Sequence, residues 1–518
     1  VDTVNKAIWR QTLGDLPRRT AAKVPHKLAI RCGDVAWTYA EFDRICDRLA
    51  SGLAGQGIAA GDRVAILARN SHAFVALRFA LARLGAVLVP VNFMLKAADV
   101  AYILRHSKAR LLCVDAGLAA LGAEAAALDT TVERLVGLPC EDSADTPAGL
   151  LSFHELLVET SPPELEVDGG MLAQIIYTSG TESLPKGAML THDAVLSEYV
   201  SCLVDAEIAH DDLLLHALPL YHCAQLDVFL GPAIYAGASN VITGKPTPEH
   251  LLPLLQHHRI SSFFAAPTVW IALLRSPLFE RCDLASLVKG YYGASIMPVE
   301  ILLEMQRRLP RVRLWNLYGQ TEIAPLATVL KPEDQLRKPG SAGRAVLNVE
   351  TRVVDEQGED VAAGQIGEIV HRSPQLMRGY FHDDARTRAA FDGGWFHSGD
   401  LGTFDGEGYL TVIDRKKDMI KSGGENVASR EVEETLYGLS QVSEAAVIGL
   451  PHARWIEAVT AVIVLKDGAA LAEHEAIAHC AARLAHFKVP KRVIFADSLP
   501  KNPSGKVLKR ELRRHYET

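Results

Sequence analysis

The segment Tyr177-Thr178-Ser179-Gly180-Thr181-Glu182-Ser183-Leu184-Pro185-Lys186-Gly187 concentrates hydroxyls, glycines and a lysine between two apolar runs, 173–176 and 188–190. Thr178, Ser179, Thr181 and Ser183 supply hydroxyl donors, and Lys186 adds a point charge. Gly180 and Gly187 let backbone amides turn toward an anion with no Cβ in the way. That combination suits a polyphosphate. A Walker A loop is excluded, because it needs Gly-Lys-Ser/Thr running straight into a helix. Here Pro185 precedes the lysine, Gly187 follows it, and a strand is predicted next. Taken alone, the loop reads equally well as a polar turn between two strands.

Further constellations lie downstream. Tyr318-Gly319-Gln320-Thr321-Glu322 follows a predicted strand at 312–317. A carboxylate and a hydroxyl at a strand end suit Mg²⁺, which takes oxygen ligands, but the same pair also caps helices. Trp395-Phe396-His397-Ser398-Gly399-Asp400-Leu401-Gly402 puts Asp400 in a predicted glycine turn, where a carboxylate can accept both hydroxyls of a ribose. A plain turn aspartate is the alternative, and neighbours in sequence such as His397, Ser398 and Asp400 do not make a triad. Asp414-Arg415-Lys416-Lys417-Asp418 runs into Lys421-Ser422-Gly423-Gly424-Glu425-Asn426, which reads as a phosphate-contacting hinge or as a solvated linker. Pro500-Lys501-Asn502-Pro503-Ser504-Gly505-Lys506 presents a lysine at a loop tip, and most such lysines are surface groups. Two metal readings fail: His474 and His479 miss the His-Glu-x-x-His spacing, and His222-Cys223 has no second Cys/His pair at zinc spacing.

The elements that must position these residues alternate. Residues 63–67 read as a buried strand, Asn70-Ser71 caps a helix carrying Phe74, Leu77, Leu81 and Leu84, and Gly85 closes it. A strand at 86–91, a helix at 97–106 and a strand at 110–114 follow, and the alternation returns between 240 and 274. Short links between such units predict an α/β fold of doubly wound parallel sheets. A loop at 142–168 separates the first unit from the phosphate-loop candidate. Past about residue 340, strands at 349–354, 367–372 and 409–413 predict a small β unit. A small, mobile α+β domain is expected at the end, giving domains of 1–414 and 415–518.

A formal net charge of -8 argues against a general nucleic-acid binder. The charge is uneven, about +4 over 415–518 against -12 for the remainder. A basic end domain suits a phosphorylated ligand or is simply a solvated surface. Eight cysteines without a Cys-x-x-Cys pair point to reduced, packed thiols and a cytoplasmic setting. Arg78 and Arg83 interrupt the most apolar stretch, so no integral membrane span is expected, and no signal peptide is evident. The start at Val1 suggests that a few residues are missing.

In this order the motifs closely resemble the adenylate-forming superfamily of acyl- and aryl-CoA synthetases, firefly luciferase and peptide-synthetase adenylation domains. The resemblance runs from Thr38-Tyr39-Ala40-Glu41 to Lys506. It implies ATP, Mg²⁺ and coenzyme A as cofactors, a carboxylic acid as substrate, and a homodimer as one available state. Thr178, Ser179, Gly180, Thr181 and Lys186 would hold the β- and γ-phosphates. Glu322, with Thr321 and Thr181, would organise Mg²⁺. Gly293, Ala294, Ser295, Tyr318 and Gly319 would line the adenine slot, and Asp400 and Arg415 would take the ribose hydroxyls. Lys506 would bridge the substrate carboxylate and the α-phosphate. His222 would sit beside the carboxylate and gate the thiol, with a structural histidine as the alternative. Lys417 occupies the hinge position. Rotation there would exchange the Lys506 loop for the segment with Gly423 and Gly424, near Trp455, to line a pantetheine channel.

The resemblance implies a stand-alone carboxylate–CoA ligase, with catalysis resting on Lys506, His222, Glu322 and Thr181. Medium- or long-chain fatty acids are the expected substrates, since no cationic acyl pocket is evident. Aryl acids of the cinnamate or benzoate type are the alternative, and a catalytically silent nucleotide-binding protein is the reading from another class. With no carrier domain after Thr518, a peptide-synthetase module is disfavoured. Two departures stand out: Glu182-Ser183 replaces the usual Thr-Gly, and Trp455-Ile456-Glu457 replaces Trp-Gly-Glu.

Overall fold

The computed structural model describes residues 9–143, 146–147, 149–160, 162, 165–178, 184–293, 297–416, 418–422, 425–452, 454–502, 505 and 507–517. Two large sheets dominate it. The first has eight strands in the order Gly379–Tyr380, Lys186–Thr191, Leu172–Thr178, Val87–Pro90, Arg63–Leu67, Ala109–Asp115, Arg134–Leu138 and Leu151–Ser152. From Leu172–Thr178 onward neighbours are parallel, as the alternation predicts. The other end is antiparallel, because the phosphate-loop candidate is a hairpin and Gly379–Tyr380 adds to its outer edge. The stretch 142–168 is not only a loop: Leu151–Ser152 extends the sheet, and a 3₁₀ turn at Phe153–Leu156 packs Phe153 and Leu156 into the core.

The second sheet has nine strands and a parallel centre. It runs from Arg344–Ala345 through Leu326–Leu330, Arg313–Gly319, Lys289–Gly293, Ser262–Phe264, Leu213–His216 and Ser239–Ile242 to Leu28–Cys32 and Val35–Thr38. The N-terminal hairpin therefore completes a sheet whose other strands come from far along the chain. Thr38 also starts the helix Tyr39–Gly55. Its Oγ1 accepts from Glu41 N at 3.3 Å, and Glu41 Oε2 accepts from Thr38 N at 2.8 Å. Such a reciprocal cap is worth about 1 kcal/mol.

Helix His72–Leu84 buries twelve of its thirteen residues, as a helix does when it is enclosed on all sides rather than on one face. Ser71 caps it, accepting from Phe74 N at 3.2 Å, and Gly85 ends it in the left-handed region. Arg78, in its middle, is 1% exposed and is held by Asp227 at 2.8 Å.

The third sheet is the predicted small β unit: Glu350–Val354, Gly367–Arg372, Trp395–Phe404 and Phe391–Asp392, with Leu410–Arg415 on Trp395–Phe404. The fourth belongs to the C-terminal α+β part. There Ile456–Leu465 pairs with Val442–His452, Ile420–Ser422 and Arg492–Phe495, and Glu425–Val427 pairs with Ile420–Ser422, under helices Ser429–Tyr437 and Glu473–Ala481. Asp414 is no free linker charge, since its Oδ2 accepts from Ser429 N at 2.8 Å and Ser429 Oγ at 2.6 Å, placing an anion at that helix's N-terminus.

Candidate active site

The phosphate-loop hairpin closes on the pair Thr178–Lys186, with Tyr177 opposite Gly187. Ser179, Gly180, Thr181, Glu182 and Ser183 lie outside the described residues, but both stems are placed. A strand follows Lys186, which excludes a Walker A geometry. Lys186 Nζ donates to Tyr380 OH at 2.5 Å and stands 4.1 Å from the centroid of that ring. Tyr380 OH in turn donates to Glu322 Oε1 at 2.8 Å, and Lys186 Nζ is 3.5 Å from the same oxygen. Burial, reinforced by the adjacent Glu322 charge, pushes the Tyr380 phenol up, so it remains a donor. Lysine, phenol and carboxylate thus form one chain connecting the hairpin to the Tyr-Gly-Gln-Thr-Glu segment.

That segment ends the strand Arg313–Gly319 and turns through a 3₁₀ element at Thr321–Ile323. Glu322 is not spent as a helix cap: its side chain is 8% exposed and faces Tyr380 and Lys186. Thr321 Oγ1 is 3.2 Å from Cys223 Sγ, which ties the segment to His222. His222 Nδ1 accepts from Ala224 N at 3.2 Å, where the chain enters a π-helix at Ala224–Leu230. Single π-turns of this kind recur at functional sites. Gly319 is required by packing, since a Cβ there would meet Pro325 O at 1.8 Å.

Asp400 differs from expectation. It lies within the strand Trp395–Phe404, not in a turn, because Leu410–Arg415 pairs along that segment and puts Arg415 directly opposite it. Tyr318 OH donates to Asp400 Oδ2 at 2.8 Å, and Arg415 Nε is 3.8 Å from Oδ1. Burial and then the Asp400 charge raise the Tyr318 phenol, so it too stays protonated. One carboxylate edge therefore keeps acceptor capacity beside a guanidinium.

The lysine loop meets this face from the C-terminal part. Lys501 and Val507 bridge across it, and Thr268 Oγ1 donates to Gly505 O at 3.2 Å. Gly505 has φ +82°, and a Cβ there would stand 2.5 Å from Thr268 Oγ1, so only glycine allows this approach. Lys506 itself lies outside the described residues, as do Ala294, Ser295, Lys417, Gly423 and Gly424. Gly293 ends the strand Lys289–Gly293, beside Leu317. The segment read as a hinge at 421–426 is a hairpin, Ile420–Ser422 with Glu425–Val427. It and Trp455 make their contacts within the C-terminal sheet: Ser422 pairs with Ile456, and Trp455 lies under Arg454 at 4.6 Å and Lys491 at 5.4 Å.

The structure thus links Thr178 and Lys186 of the hairpin to Thr321 and Glu322, Thr321 to the His222–Cys223 turn, and Tyr318 to Asp400 and Arg415, with Trp455 apart. Tyr380 escaped the sequence reading; its only signal was the Gly-Tyr-Phe run 379–381, an amphipathic ring beside a second aromatic. Behind the strand ends the interior is aromatic. Phe229 of the π-helix stacks on Phe264 at 4.4 Å and meets Tyr291 at 5.0 Å, and Tyr291 stacks on Trp315 at 5.0 Å.

As to Mg²⁺, the donor set fits. No group of three or more His, Cys, Asp or Glu side chains that could hold a metal is found among the described residues. A single buried carboxylate with a neighbouring hydroxyl is, however, what Mg²⁺ needs when substrate phosphates supply further ligands.

The Lys186–Tyr380–Glu322 chain joins the hairpin of the first sheet to the Tyr-Gly-Gln-Thr-Glu segment of the second, and Tyr318 links that segment to the Asp400–Arg415 pair of the small β unit. Together with the family matches that follow, this arrangement marks an adenylate-forming enzyme. The chain belongs to the AMP-binding enzyme family: the family model matches residues 17–381, and that of the AMP-binding enzyme C-terminal domain matches 431–506. It is an AMP-forming acid–CoA ligase with a large N-terminal and a separate C-terminal domain. It is 38% identical to a feruloyl-CoA synthase from Amycolatopsis sp, over 98% of this chain and 99% of that one. It is 36% identical to the long-chain-fatty-acid–CoA ligase FadD13 of Mycobacterium tuberculosis, over 93% of this chain and 94% of that one. The fold superposes on the anthranilate CoA ligase AuaEII in complex with anthranoyl-AMP with a TM-score of 0.91 at 27% identity, covering 98% and 97% of the two chains. No helix among the described residues is long and apolar enough to cross a membrane.

Proposed function

We propose that this ligase activates an aryl acid of the hydroxycinnamate or benzoate type, so the fatty-acid expectation gives way to its alternative. The observation that carries this reading is the 38% identity to a feruloyl-CoA synthase along nearly the whole of both chains. Long-chain acids remain the second reading, favoured by the 36% identity to FadD13.

In this proposal the carboxylate attacks the α-phosphorus of ATP, its oxygen forms the new P–O bond, and pyrophosphate leaves. A thiol then attacks the acyl carbon and expels AMP. Two anions must first be brought together, so the site needs cations and oriented donors. Thr178, Lys186 and the Ser179–Thr181 stretch hold the polyphosphate, and Tyr380 keeps Lys186 and Glu322 in register. Glu322, with Thr321 and Thr181, would hold Mg²⁺, which supplies charge neutralisation when bound. Asp400, steadied by Tyr318 and Arg415, accepts the ribose hydroxyls, while Gly293, Ala294, Ser295, Tyr318 and Gly319 border the adenine. Lys506 draws carboxylate and α-phosphate together, and His222 stands at the acid end. The boundary at 414/415, with Lys417 as pivot, lets the segment with Gly423, Gly424 and Trp455 replace the Lys506 loop for the thiol step.

One screen tests the reading: AMP release with ATP and CoA across short, medium, long and aryl acids. Fastest release with hydroxycinnamates or benzoates is expected. Fastest release with a medium or long alkyl acid would replace this assignment by the second reading, and ATP binding without AMP formation would favour a silent protein. Within the same assay Lys506→Ala should lose adenylate formation yet still convert supplied acyl-AMP and CoA to thioester.

A further inference from the structure

Helix Ala97–Ser107 stands outside the nucleotide site, yet two of its side chains reach the two stems of the phosphate loop. Tyr102 OH donates to the carbonyl of Pro185 at 3.2 Å, where the chain leaves the loop. Four residues on, and so on the same helix face, His106 Nδ1 lies 2.7 Å from Tyr177 OH, where the chain enters it. The two helix rings stack on each other at 5.5 Å. Phe381 and His382 close the far side of His106 at 5.9 and 6.0 Å, and Phe381 N donates to Gly187 O at 2.8 Å. Burial holds His106 below the ordinary imidazole range, with the His382 charge adding to it, and burial also keeps the Tyr177 phenol protonated. The bond therefore joins an uncharged imidazole to an uncharged phenol, with the ring tautomer setting which of them donates.

A loop that binds through amides and hydroxyls gains affinity when its ends are already set at the bound separation, because less ordering remains at the moment of binding. Here one rigid helix face touches both ends. We propose that Tyr102 and His106 are positioning residues that fix the entry and exit of the phosphate loop, and so set the affinity for MgATP without touching it. The proposal rests on the reading of 178–186 as the polyphosphate clamp. A plain packing role would be served by the rings alone, whereas these contacts are made by a hydroxyl and a ring nitrogen.

The test is a calorimetric titration of MgATP into the full-length protein and its Tyr102→Phe, His106→Leu and His106→Gln variants. Tyr102→Phe keeps the ring and loses one hydrogen bond, so its Kd should rise about tenfold, as should that of His106→Leu. His106→Gln can either accept from or donate to Tyr177 and should recover to within about threefold of the parent. Conversion of supplied acyl-AMP and CoA, which engages no polyphosphate, should be unchanged in Tyr102→Phe. An unchanged Kd in Tyr102→Phe, or equal losses in both half-reactions, overturns the positioning role and leaves the ligase reading intact. A parent protein that binds no MgATP overturns both. If His106→Leu fails to fold, Tyr102→Phe alone decides.

Discussion

Asp400 and Arg415 face each other as direct partners across an antiparallel strand pair, with Arg415 Nε 3.8 Å from Asp400 Oδ1. Tyr318 OH occupies the other carboxylate oxygen at 2.8 Å. The acid is thus aimed by two neighbours drawn from different sheets, and its position depends on how the small β unit sits against the nine-stranded sheet. A turn aspartate would have no such dependence.

If Asp400 accepts both ribose hydroxyls, replacing it by Ala should lower kcat/KM for ATP by about a hundredfold, since hydrogen bonds to a charged acceptor are worth about 1.5–3 kcal/mol each. The parent should also discriminate against 2′-deoxy-ATP by about tenfold or more, and the variant should not. A variant that still discriminates as the parent does would remove Asp400 from the ribose.

Tyr380 links Lys186 and Glu322, so Tyr380→Phe leaves the 8%-exposed Glu322 side chain short of one donor. About 1–3 kcal/mol of stability should be lost from that buried acceptor, and KM for MgATP should rise about tenfold with a smaller change in KM for the acid. Thermal unfolding and initial-rate kinetics check both halves. Equal rises in the two KM values would mean that Tyr380 only supports the fold.

Ile456 has φ +68° and is 65% exposed, in register with His452 and Ser422. A β-branched residue pays about 1–2 kcal/mol in that region, and glycine adopts it freely at some cost in unfolded-state entropy. Ile456→Gly should therefore stabilise the protein by about 0.5–1 kcal/mol, seen as a higher denaturant midpoint at unchanged slope. Ile456→Ala, which keeps a Cβ, should recover less. Destabilisation by the glycine would show that the side chain contributes more than its exposure suggests.

Burial holds four histidines well below the ordinary imidazole range: His72, His192 and His216 at about 4, and His371 at about 3. Charges on His154 and Arg78 add to the effect at His72 and His192 respectively. Each is neutral in the fold, while the unfolded chain takes up a proton near 6.5, so stability present above that pH is lost as pH falls from 6.5 toward 4. The unfolding midpoint should drop steeply across this window, and His371→Asn should flatten the slope by about one proton. A midpoint flat between pH 6.5 and 4 would show that these rings protonate without cost.

Much of this organisation is written locally. The strand at 63–67, the Ser71 cap, the heptad-like Phe74, Leu77, Leu81 and Leu84, and the closing Gly85 appear in the structure where their types place them. Cap, period and left-handed closure each involve residues only a few positions apart, so near-neighbour chemistry decides them. The order of the motifs is equally legible, which is why the family could be read from the chain.

Other features were settled only at a distance. Asp400 reads as a turn residue from its glycines, and becomes a strand residue because Leu410–Arg415 pairs with it. Tyr380 meets Lys186 across 194 positions, and the hairpin at Leu28–Cys32 finds its parallel partner at Ser239–Ile242. Even the phosphate loop carries nothing in 177–187 that reveals Tyr102 and His106 at its two ends. Sequence alone determined which groups could do the chemistry and which local elements carry them, because residue type and short-range spacing encode both. Only the tertiary structure decided which of those groups meet, because strand pairing and burial sum over residues that no local pattern connects.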